Sequence, residues 1–109
     1  MAVDRAATFR TFIARTPGDP FPRYGLAMEL RSRGDLPGSA AQFDELIAAF
    51  PDYVPSYLMA AGVLAELGRK DDSVATLRRG VEVAGARGDA HAKKELEAAL
   101  ADAVEPQRA

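Results

Sequence analysis

The chain has no cysteine, no tryptophan and a single histidine, and aromatic residues make up only 7% of its 109 positions. Without cysteine there are no disulfides, thiolate zinc sites or cysteine nucleophiles, which suits a reducing cytoplasm. His91 has no acidic or nucleophilic residue at a recognisable companion spacing, so it reads as a surface residue on the last helix. An excess of charge is missing too. The net charge of -2 gives no global attraction to phosphate backbones or anionic membranes, although arginine outnumbers lysine 11 to 3. Long apolar runs are absent: the longest, residues 57–65, is about half of what a membrane span needs, and the first five residues carry no secretion-type apolar stretch. These absences lead to the expectation of one soluble, cytoplasmic domain over residues 1–109.

What is present is a repeat. Phe9-x-x-Phe12-Ile13-Ala14-x-x-Pro17 returns 34 residues later as Phe43-x-x-Leu46-Ile47-Ala48-x-x-Pro51. A helical block at that period signals a stack of helix pairs, each burying its apolar face against its neighbours. The first helix is expected over 4–15, with Phe9, Phe12 and Ile13 at helical spacing before Pro17-Gly18-Asp19-Pro20. Asp19 and Pro20 then start a second helix to Arg33, where Gly34 supplies the positive φ of a tight turn. A third is expected over 37–50, with Ala40, Phe43, Leu46, Ile47 and Phe50 as its stripe. A fourth, 55–67, ends at Gly68, one period after Gly34. A fifth, 71–84, places Asp71 and Asp72 at its positive end, and Gly85 and Gly88 loosen the turn that follows. A sixth, 89–104, is capped by Asp89 and seamed by Ala92, Leu96, Ala99 and Leu100, ahead of a frayed tail at 105–109.

This pattern resembles the tetratricopeptide repeat (TPR) family, whose 34-residue unit carries W-x2-L-G-x2-Y on one helix and A-x3-F, then P, on the next. In a first unit, residues 20–53, the slots hold Arg23, Leu26, Ala27 and Leu30, then Ser39, Phe43 and Pro51. In a second, residues 54–87, they hold Tyr57, Ala60, Ala61 and Leu64, then Ser73 and Leu77, with Gly85 in place of proline. Residues 4–19 match the second half of a unit, and 89–104 match no slot, so both are expected as caps. The resemblance implies an all-α, right-handed α-solenoid of antiparallel helix pairs. Small residues at Ala27, Ala61, Ser39 and Ser73 stand where paired helices approach closely. Arg23 departs most, since an ionised group in an aromatic slot needs its head in water.

Signals for catalysis fail one by one. Asp71 and Asp72 are adjacent and point apart on a helix, the Gly34–Ser39 turn lacks a phosphate-binding lysine, and the basic patch of Arg69, Lys70, Arg78 and Arg79 has no aromatic interleaving. No catalytic residue, cofactor or metal is expected, and the chain is read as no enzyme. The resemblance implies instead a concave surface lined by the first helix of each pair. Helical phase puts Phe21, Tyr24, Met28 and Arg31 there in one unit. Leu58, Met59, Gly62, Ala65 and Glu66 follow in the next. An apolar strip of this size calls for a cover. The expected function is a scaffold that takes a partner peptide or helix in this groove, with Arg31, Glu66 and Lys94 at the rim and Lys93 near one end. A second reading has the groove covered by a second copy in a homodimer, and a third, a helical enzyme, needs a polar pocket that the sequence does not offer. The partner is expected to be protein, not nucleic acid or membrane, and the arginine- and alanine-rich usage suits a GC-rich bacterial genome.

Overall fold

The computed structural model describes residues 4–104, and the 105–109 tail lies outside them. All regular elements among these residues are helices: α1 (Arg5–Arg15), α2 (Phe21–Ser32), α3 (Leu36–Ala49), α4 (Pro55–Glu66), α5 (Lys70–Ala86) and α6 (Ala90–Val104). The all-α helical repeat implied by the sequence is the fold. The helices group into two compact units, the first ending at Tyr53 and the second starting at Val54.

Turn chemistry sets the helix ends. Gly34, Gly68 and Gly88 hold φ of 83°, 79° and 71°, and no non-glycine residue among those described has a positive φ. At each, the amide three places past the helix reaches back to a carbonyl of the last turn: Asp35 to Leu30 at 2.9 Å, Arg69 to Leu64 at 2.8 Å and Asp89 to Ala84 at 2.9 Å. This closure satisfies carbonyls that the helix leaves open. The turns that follow α1 and α3 belong to a different type and also repeat: the amides of Thr16 and Phe50 bond the carbonyls of Phe12 and Leu46, both at 2.8 Å. Asp19 accepts from the Phe21 amide at 3.0 Å, while Asp35 and Asp89 cap α3 and α6 through the Gly38 and Ala92 amides, each at 3.0 Å.

One boundary moves. The fifth helix was expected to stop at 84, but α5 runs 17 residues to Ala86 where α3 has 14. Pro51 stops α3, whereas Gly85 keeps its N–H and φ freedom and lets α5 continue until Gly88.

In the first unit Ala6, Leu26 and Leu30 form a buried cluster against which Phe9 and Ile13 pack. Phe12, expected on the same stripe, is instead 47% exposed. Its place on the repeat is that of Leu46, which is fully buried. Between α2 and α3 the Ser39 hydroxyl donates to the Ala27 carbonyl at 2.7 Å, and in the second unit Ser73 donates to Ala61 at 2.8 Å. Sequence reasoning anticipated small side chains here but not this bond.

The second unit buries Tyr57, Val63, Leu64, Leu77 and Leu96. Tyr57 and Leu96 converge on Gly80: a Cβ there would lie 2.7 Å from the Tyr57 Cβ and 3.0 Å from Leu96 Cδ2. The Arg79 guanidinium covers the Tyr57 ring at 5.8 Å. Arg23, one period before Tyr57, is half-buried with its Nε shielded and without a hydrogen-bond partner. Of the two arrangements the sequence allowed, an exposed outer turn or a packed stem, the half-buried arginine takes the second, with burial reaching as far as Nε. Gly80→Ala should cost about 1–3 kcal/mol, because both neighbours of the new methyl are held by packing. Urea unfolding of the variant checks this.

Candidate functional site

A shallow apolar hollow lies in each unit. In the first, α1 and α2 frame a space of about 330 Å³ lined by Phe9, Phe21, Tyr24, Gly25 and Met28, with Arg5 and Glu29 at its edge. Gly25 makes this possible, since any Cβ at that position would collide with the Phe9 ring. Phe9 therefore lies flat against the α2 backbone. Tyr24 meets Phe43 edge-on at 6.1 Å and Tyr53 at 5.9 Å. Burial holds the hydroxyls of Tyr24 and Tyr53 above their ordinary pKa: at Tyr24 the nearby Tyr53 adds to the rise and Arg31 opposes it, and at Tyr53 the Asp19 carboxylate adds to it, so both stay neutral donors.

The position of α1 against α2 is fixed by charge as well as packing. Arg33, just past α2, donates to Asp4 Oδ1 at 2.7 Å and to Glu29 Oε2 at 3.0 Å. The same Asp4 caps α1 by accepting from the Ala7 amide at 3.3 Å. The Arg33 hydrogen bond, followed by the Ala7 amide, holds the Asp4 carboxyl below the usual carboxylate range.

In the second unit α4 and α6 form the walls of a hollow of about 330 Å³, with α5 as its floor. Leu58, Ala61, Gly62 and Ala65 face it from α4, and Ser73 and Leu77 lie below. Ala99, Asp102 and Ala103 complete it from α6. Apart from Asp102 the lining is uncharged and mostly small. Ala61, Gly62 and Ala65, at i+3, i+4 and i+7 from Leu58 on α4, opposed by alanines on α6, leave room where larger side chains would close the gap.

Of the strip read from the sequence, Phe21, Tyr24 and Met28 come together in the first hollow, and Leu58, Gly62 and Ala65 in the second. Arg31, Met59 and Glu66 line neither. Lys93 leans along α5 beside Gly85 instead of turning toward the hollow. Sequence reasoning missed Phe9, Gly25, and the α6 wall of Ala99, Asp102 and Ala103. The signal for that wall was present as alanines spaced four apart, but α6 fits no slot of the repeat, so its facing could not be phased.

No protein-family model and no curated protein matches the chain. Solved structures do. The solution NMR structure of a tetratricopeptide repeat domain protein from Salinibacter ruber is 34% identical, superposes with a TM-score of 0.79, and the match covers 85% of this chain and 94% of that one. The chain belongs to the tetratricopeptide repeat family. A crystal structure of a tetratricopeptide repeat domain protein from the same bacterium agrees, at 35% identity and a TM-score of 0.76 over 82% of this chain and 99% of that one. Within the family pattern, the departures at Arg23 and Gly85 have the local explanations given above.

Among the described residues, no three of His, Cys, Asp and Glu come close enough to hold a metal ion, and no helix is long and apolar enough to cross a membrane.

The depressed native pKa of Asp4 adds stability above the unfolded carboxylate value, and this is lost as pH falls through the native one. Asp4→Asn should therefore lower the thermal midpoint at neutral pH, with the difference from wild type shrinking as pH falls below the ordinary carboxylate range. Paired melts followed by circular dichroism test it.

Proposed function

We propose that this TPR protein is a scaffold that captures an apolar or amphipathic segment of another protein, with the hollow between α4 and α6 as the principal seat. The observation that supports this most is the lining: Leu58 is half-buried, small side chains leave about 330 Å³ open, and Asp102 is the one charged group. A cavity of this kind offers little to a polar small molecule, whereas an inserted aliphatic or aromatic side chain gains about 1.5–3 kcal/mol from full burial. The hollow at Phe9, Tyr24 and Met28 is a second seat of similar size and chemistry. Methionine adapts its shape to different guests. Of the rim residues proposed from sequence, Arg31 and Glu66 act outside the two hollows and bear on association rate more than on affinity. The reading does not require catalysis, a cofactor or a metal, and takes the partner to be protein rather than nucleic acid.

Ala65 is exposed at the edge of the α4–α6 hollow, so a larger residue there fills the space without disturbing the core. Peptides selected from a displayed library on the wild-type protein should lose at least about tenfold in affinity for Ala65→Phe, while its melting temperature stays unchanged. Peptides that bind both proteins equally would count against this seat.

A further inference from the structure

The repeat register states what ought to cover each face of a second-position helix. On α3, Ser39 and Leu46 are both fully buried, and Ser39 is bonded to α2. On α5, the equivalent Ser73 is bonded to α4 and the equivalent Gly80 lies against Tyr57 of α4. One period before Ser39 and Leu46 stand Arg5 and Phe12 on α1. Arg5, Thr8, Phe12 and Arg15 form an exposed stripe, with Phe12 at 47%. On α1 the face that a first-position helix fills in both pairs is aromatic and basic.

A complementary helix has a small residue between two carboxylates. The chain contains one: Glu95, Ala98 and Asp102 lie at i, i+3 and i+7 on α6, and all three are exposed. We propose that the Arg5–Phe12–Arg15 face of α1 docks α6 of a second copy of this chain. Laid antiparallel, with Ala98 against Phe12, Arg15 and Glu95 each fall three residues from that contact and meet. In the other direction Arg5 is seven residues away and Asp102 four, an offset of about 4.5 Å along the axis that an arginine side chain spans. The arginine at position 5, bulky where Ser39 and Ser73 are small, finds a carboxylate here in place of a backbone carbonyl. His91 Nε2 lies 3.4 Å from Glu95 Oε1, an exposed contact that Arg15 displaces. The surfaces joined are different on each copy, so the association is heterologous and runs head to tail. Asp102 also lines the α4–α6 hollow, but Arg15 and Glu95 lie outside it, so their reversal tests the association without touching the peptide seat.

Light scattering across micromolar to millimolar protein tests it. The wild-type mass should rise with concentration and fall back in high salt. Arg15→Glu and Glu95→Arg should each weaken the association by about tenfold or more, with unchanged thermal melts because both positions are exposed. An equimolar mixture of the two variants should recover it, since each reversed charge then meets its opposite. A wild type that stays monomeric throughout, self-association that both variants leave intact, or a mixture that fails to recover would each overturn the proposal.

Discussion

A serine hydroxyl bonded to an alanine carbonyl sets how near two paired helices come. The Ser39–Ala27 and Ser73–Ala61 contacts, at 2.7 and 2.8 Å, occupy the same place in both pairs. A helix carbonyl is already engaged in its own ladder, so a second donor reaches it only when the neighbouring helix lies very close. Alanine on one side and serine on the other are what allow that approach, and the bond spares the buried hydroxyl an unsatisfied state. The other packing follows from this spacing. It fixes which residues turn inward as core and which are left to line the hollows.

Given that spacing, the remaining volume is shared differently in the two pairs. Where the second has Tyr57 over Gly80, the first has Arg23 and Leu46 at the corresponding positions, so the aromatic ring comes with a glycine and the arginine with a leucine. Interiors close-packed to this degree accept such exchanges only in compensating sets. This is why the arginine does not disqualify the first pair, and why Gly80 cannot be read as a flexible point. The same economy of side-chain size leaves the hollow between α4 and α6, where a run of alanines and one glycine leave unfilled the space above α5.

Much of this was legible in the chain. The positive φ of Gly34 and Gly68, the breaks at Pro17 and Pro51, and the buried stripes of α2 and α3 follow from local rules that act within a few residues. Phe12, 47% exposed, could not be placed from periodicity, because its spacing is the same whether or not a helix covers it. Gly85 misled in a similar way: as a missing proline it signalled a loose turn, but in a helix anchored by Leu77 and Ala84 it extends the helix. Half of the α4–α6 hollow was beyond reach, since Ala99 and Ala103 belong to a helix without the repeat's signature.

The close approach at Ala61 is open to direct measurement by urea unfolding of Ala61→Leu beside Ala101→Leu, the same change at an exposed site of α6. If helix spacing rests on small residues there, the first should lose about 1–3 kcal/mol or more and the second stay within about 0.5 kcal/mol of wild type. Equal stabilities for the two variants would contradict the account.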